Sequence, residues 1–283
     1  MDRRALLKGL LVGTAMAGSQ NVLAGRSATG NVANQLPASA ERDANYLSKI
    51  ENFNTHFSDD IILIDQKFEL LKSVVSRLVR VRSIVGHANF CFLSFEQSLF
   101  YARRFSDIGE FPREEVLFLE NIFYTNANDY GFFGSKVTND IASVIEKREI
   151  QKIRGTGNYL FHDASVELYD KIRNDIGQSI ILTSGVRGVV KQMHLFLAKA
   201  LRSEGNLSMA SRSLAPPGYS FHANGDFDVG KVGYGHRNFT EDFAKTSEYK
   251  RLEALGYIRM RYHKANPFGV RFEPWHVKVN RTV

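Results

Sequence analysis

The sequence predicts an α+β fold: a small, mostly antiparallel sheet with flanking helices, preceded by an all-helical N-terminal region. Three observations predict it. Between residues 41 and 158 apolar side chains recur at the three-and-four spacing of one helix face. In the second half, short apolar runs bounded by Gly, Pro and Asn read as strands. Segments of helical spacing lie between those runs, in a chain of 283 residues with 43% apolar content, enough for a sizeable core.

The elements follow in order. Residues 1–24 read as an export signal: Asp2-Arg3-Arg4-Ala5-Leu6-Leu7-Lys8, then small, weakly apolar residues, with Ala17 or Ala24 as cleavage positions. The paired arginines look like a twin-arginine signal, which implies export of folded protein to the periplasm or cell envelope. That stretch is too short and too Gly-rich to span a bilayer, and no later stretch is apolar enough, so no stable span is expected after its removal. Residues 25–40 have linker composition. Residues 41–158 form the helical region, whose role the sequence leaves open. Tyr46, Ile50, Phe53 and Phe57 share one helix face, and Ile64, Phe68, Leu71, Val75 and Leu78 share another in a helix stopping near Gly86. Residues 88–104 are apolar nearly all round, as a central buried helix would be. Pro112-Arg113-Glu114-Glu115 opens a helix running to about Tyr124.

Residues 159–283 form the second region. Ala164 to Ile176 is a helix stopped by Gly177, and Ser179 to Thr183 is a buried strand. The strand leads to Arg187 at a strand-to-helix corner, and Val189, Met193, Phe196 and Ala200 set the next helix against a sheet. Ser247 to Leu255 is a helix ended by Gly256. Tyr257 to Tyr262 and Val270 to Phe272 read as a hairpin around Asn266-Pro267-Phe268-Gly269.

Several function classes are excluded or weakened. The single Cys91, in an apolar run, forms no internal disulfide and lacks the electropositive setting of a nucleophile. The charge of +7 favours anionic polymers, but no basic stripe with interleaved aromatics marks a nucleic-acid binder. Asn126, Asn128 and Asp129 lack the Gly and terminal Glu of a calcium loop. The Gly-rich Arg154 to Asn158 lacks the Lys-Ser/Thr of a phosphate loop.

The chemistry gathers between Ser213 and His276. Ser220-Phe221-His222-Ala223-Asn224-Gly225-Asp226-Phe227-Asp228-Val229-Gly230 and Glu273-Pro274-Trp275-His276 hold two histidines and three acids. A hydrolytic zinc takes three ligands from His and carboxylate and keeps one position open, with a second carboxylate nearby to accept a proton. His222, Asp228 and His276 can supply the ligands and Glu273 the base. Asp226 is the reserve ligand, because it shares a strand face with Asp228. Glu273 and His276 need a bend between them to converge, which Pro274 fits.

These motifs, with Ser184-Gly185-Val186-Arg187-Gly188-Val189-Val190-Lys191-Gln192 upstream, resemble the zinc D-alanyl-D-alanine carboxypeptidase family. The family usually spaces its first His and its Asp seven apart, with a small residue two before the Asp. Here the spacing is six and Asp226 holds that place. Val186 and Gly188 stand where Tyr and Ser are frequent. The resemblance implies a Zn2+ cofactor and hydrolysis of D-Ala-D-Ala stem peptides of peptidoglycan. It further implies catalytic Glu273 and Arg187, metal-binding His222, Asp228 and His276, and substrate contacts from Ser184, Gln192, Ser220 and Trp275. The same site also serves peptidoglycan endopeptidases of that group. A non-catalytic wall-binding protein is the alternative from another class.

Overall fold

Caps and apolar spacing decide where the helices run. The computed structural model describes residues 45–162 and 164–280; the expected export signal and linker lie outside them. Helix α1 (Asn45–Glu51) is shorter than its apolar spacing predicts, because the chain turns at Asn52 to Thr55 and carries Phe53 and Phe57 off the helix. Helix α2 (Asp65–Val85) buries Leu71, Val74, Val75, Leu78 and Val81 and stops at Gly86.

The expected helix over 88–104 is two helices, α3 (His87–Phe90) and α4 (Phe95–Arg104). Ser94 starts the second by accepting from the Gln97 amide, while the Gln97 side chain accepts from the Ser94 amide. That reciprocal cap breaks a run which apolarity alone would carry through. Helix α5 (Arg113–Tyr124) begins after Pro112 with Glu114 and Glu115 in its first turn.

Strands β1 (Ile150–Ile153) and β2 (Asn158–Phe161) form an antiparallel hairpin, with Gly155 and Gly157 in the turn. Helix α6 (Ala164–Ile176) leads to β3 (Ile180–Ser184), and Gly188 precedes α7 (Val189–Arg202). A short α8 (Leu207–Ser211), β4 (Phe227–Lys231), α9 (Ser247–Ala254) and β5 (His276–Val277) complete the order. The second sheet is antiparallel throughout, ordered β3-β4-β5, with Ser184 opposite Asp228 and Asp228 opposite His276. This is the expected mixture of helices and small antiparallel sheets.

The expected hairpin over 257–272 is absent. Tyr257 to Glu273 follows an irregular path fixed by side chains: Asn266 donates to the carbonyls of His263 and Val270, and Arg261 turns inward to Asp226. Backbone groups satisfied in this way have no ladder to join.

Two cores flank the site. In one, Ile172, Ile180, Leu182, Phe227, Val229, Phe243, Leu252 and Val277 pack α6 and α9 on the sheet. In the other, Val190, Met193, Phe196, Leu197 and Ala200 of α7 pack against α2, α4 and α5. Helix α7 therefore belongs to the core of the helical region as well as to the region that follows it.

Candidate metal and catalytic site

The strand register brings the sequence-predicted residues together. His222 sits in a short 3-10 turn (Phe221–Asn224) closed by Gly225, whose φ of 106° is a left-handed conformation suited to glycine. Asp228 lies on the central strand β4 and His276 starts β5 beside it. A turn through Pro274 and Trp275 joins Glu273 to His276, the His276 amide donating to the Glu273 carbonyl at 3.2 Å.

His222, Asp228 and His276 each offer one atom to a cluster in which all three lie within 4.8 Å of one another. Asp228 Oδ1 is 3.3 Å from His222 Nε2 and 3.2 Å from His276 Nδ1. It is buried and has no hydrogen-bond partner. The far sides of both rings are tied. His222 Nδ1 lies 2.9 Å from the carbonyl oxygen of Gly185, which only accepts, so this nitrogen carries the proton and Nε2 keeps its lone pair. His276 Nε2 donates to Asp226 Oδ2 at 2.9 Å, leaving Nδ1 toward Asp228. Two imidazole nitrogens and an orphaned carboxylate oxygen, each oriented from behind, fit a divalent zinc.

Asp226 stands behind His276, outside the cluster. It accepts from Arg261 and, at 2.9 Å, from the Val279 amide. Of the two acids, Asp228 faces the histidine nitrogens that are free.

Electrostatics differ across the site. Desolvation, with Arg187 adding, lowers His222 to about 4, so it stays neutral. Desolvation also opposes charge on His276, but Asp226 and Asp228 outweigh it and raise that group to about 9. That proton would have to leave for His276 Nδ1 to hold a metal. Burial pushes the Glu273 carboxyl up to about 7, against the pull of Arg271 and His276.

Glu273 and Asp228 line a cleft of about 520 Å³ with Ser184, Arg187 and Trp275. Arg187 donates to Asp228 Oδ2 at 2.5 Å and to Ser184 Oγ at 3.0 Å. Trp275 is buried, and the Arg271 guanidinium lies 4.9 Å from its ring. Ser220 is buried at the start of the His222 turn and makes no capping bond. Gln192 donates to the Ala215 carbonyl, on the approach to Ser220, and stays outside the cleft lining.

Sequence reasoning missed several residues. Phe53, Asn54 and His87 of the helical region line the cleft, as do Lys191, Lys199 and Arg271. The signal for α7 was present: Lys191, Leu195, Lys199 and Arg202 fall on one helix face, opposite the buried one. Arg261 gave no comparable signal, because its partner is set by an irregular segment. A larger hollow of about 850 Å³ lies beside Gly188, Val189, Phe221 and Ala223, and the three clustered residues do not line it.

Residues 161–280 match the family model described as VanY, D-alanyl-D-alanine carboxypeptidase. No curated protein matches the chain. Among solved structures, the LdcB LD-carboxypeptidase is similar at 23% identity and a TM-score of 0.37, over 46% of this chain and 62% of its own. A variant of the vancomycin resistance D,D-pentapeptidase VanY from a VanB-type cassette, solved with Zn(II), is similar at 26% identity and a TM-score of 0.36. VanYB in complex with D-alanine-D-alanine gives the same two values. Each covers 46% of this chain, which spans 78% and 76% of theirs. The chain thus spans under two thirds of the first structure, and the match to the VanY D-alanyl-D-alanine carboxypeptidase family model is confined to residues 161–280, under half of the chain.

Proposed function

We propose that this chain is a zinc-dependent peptidoglycan hydrolase that removes the terminal D-Ala from D-Ala-D-Ala stem peptides. One observation carries the reading: the partnerless Asp228 Oδ1, buried between His222 Nε2 and His276 Nδ1, with Glu273 beside it on the cleft. The family match over residues 161–280 supports the substrate class.

His222, Asp228 and His276 would hold the ion. Zinc supplies Lewis acidity, polarising a carbonyl and making water acidic near neutral pH. Glu273, with its carboxyl near 7, is matched to accept a proton from the attacking water and return it to the leaving amine as the C–N bond breaks. Arg187 is held by Asp228 and Ser184, so its guanidinium is oriented before substrate arrives and can stabilise the developing oxyanion. Ser184 and Trp275 contribute to the cleft surface. Gln192 and Ser220 act from behind it, through the segment that carries His222. The paired-arginine start suits an exported protein acting in the cell envelope, and among the described residues no helix is long and apolar enough to cross a membrane.

A digest of purified peptidoglycan by the exported form, with and without zinc chelator, tests this by mass spectrometry. Chelator-sensitive loss of one alanine from pentapeptides, with crosslinks intact, is expected. Cleaved crosslinks or shortened stems would make the chain an endopeptidase. Zinc binding without cleavage would favour a wall-binding role. Glu273→Gln should keep zinc and lose turnover by roughly 10²–10⁴-fold; normal turnover would remove Glu273 as the base.

A further inference from the structure

We propose that the Lys191 ammonium holds the terminal carboxylate of the peptide in the cleft, an inference that rests on the peptidase reading above. Helix α7 divides into two faces. One is buried against the helical region, and the other presents Lys191, Leu195, Lys199 and Arg202 to the cleft. Lys191 differs from the other cations there because it is only 6% exposed. Its Nζ lies 3.2 Å from the Cys91 Sγ, a weak acceptor, and among the described residues no ion pair joins it to a carboxylate.

Both acids of the cleft are otherwise engaged. Asp228 takes Arg187 and faces the two histidines, and Glu273 is the base candidate. An ammonium kept from water without an anion costs several kcal/mol, which an arriving carboxylate would offset. Desolvation lowers the Lys191 pKa and Arg187 adds to that, while Cys91 and, most weakly, Asp228 act to raise it.

Position separates Lys191 from Lys199 and Arg202 among the cleft's cations. In a terminal dipeptide the free carboxylate lies one residue beyond the scissile carbonyl, about 4 Å along the chain. Its counter-charge must therefore sit at the metal end. Lys191 is there, four residues after Arg187 in the first turn of α7, and Arg187 donates to Asp228. Lys199 and Arg202 lie about 12 and 16 Å further along the helix axis, and Lys199 donates to Asn54. Arg271 is the competitor, stacked between Phe53 and Trp275 with its Nε buried and partnerless.

Calorimetric binding tests the assignment in the zinc-loaded full chain carrying Glu273→Gln. The probes are acetyl-D-Ala-D-Ala, acetyl-L-Ala-L-Ala and the C-terminal amide of each. The acid should bind at least about tenfold tighter than its amide, a difference of about 1.4 kcal/mol. Adding Lys191→Met should narrow the ratio below about twofold, with zinc content unchanged, and Lys191→Arg should restore part of it. A ratio that survives Lys191→Met, or that collapses in Arg271→Leu instead, overturns the assignment. So does the absence of acid preference in both probe pairs. The D-Ala-D-Ala reading is judged separately, by alanine release from pentapeptides. Its failure alongside a Lys191-dependent acid preference in the L pair would change the substrate and keep the carboxylate site.

Discussion

Asp226 and Asp228 differ by two positions and serve opposite ends of one ring. Asp228 faces Nδ1 of His276 across the cluster, whereas Asp226 accepts from Nε2 and is itself held by Arg261 and the Val279 amide. A carboxylate behind a ligating histidine fixes its tautomer and raises its basicity. Asp226→Asn should therefore weaken zinc binding by about 10–100-fold without abolishing the site. A zinc titration giving unchanged affinity would remove that role. The motif spacing in the sequence favoured Asp228 as the ligand and kept Asp226 in reserve, because both fall on one strand face; the ring between them distinguishes the two.

A second residue-scale prediction concerns acid stability. Burial, with Arg82 and Arg202 adding, lowers His194 from 6.5 to about 4. Between those values the unfolded chain binds a proton that the folded chain refuses. This contribution to stability is therefore complete above about 6.5 and lost as pH falls toward 4, at about 1.4 kcal/mol per unit and up to roughly 3 kcal/mol. His194→Leu should flatten the pH dependence of urea denaturation in that window. An unchanged slope would show that other groups dominate.

At the scale of elements, the crossing of β2 with the corner after β3 sets the cluster of His222, Asp228 and His276. A Cβ added at Gly185 would lie 2.0 Å from the Tyr159 carbonyl oxygen, which already accepts from the Val186 amide. The Gly185 carbonyl in turn aligns His222. Gly185→Ala must displace this backbone, so we expect about 1–3 kcal/mol of destabilisation together with weaker zinc binding. Denaturant melts and zinc titration read the two effects, and a variant matching the parent in both would refute the coupling. The strand, the corner and α7 were legible from apolar runs and turn residues. The split at Ser94 and the irregular 257–273 segment were not, since side-chain hydrogen bonds there override the periodicity of the run.

At the scale of the molecule, the helical region and the region that holds the candidate metal site share α7. Its buried face joins α2, α4 and α5, and its other face walls the cleft, to which Phe53, Asn54 and His87 also contribute. The described residues accordingly form one compact unit. Differential scanning calorimetry should give a single unfolding transition for this unit; two resolved transitions would mean that the regions fold apart. The sequence marked 41–158 as helical and left its role open, because no residue there carries chemistry by itself. Its contribution lies in what it presses against.

The contact of Cys91 with Lys191 gives the chain an internal reporter. Cys91 is the single thiol of the sequence and is wholly buried, with the cleft-lining ammonium against its sulfur. An alkylating reagent can reach it only when the packing around α7 opens. Its modification rate therefore reports the frequency of that opening, and the slowing produced by a bound peptide measures how firmly the occupied cleft holds the two regions together.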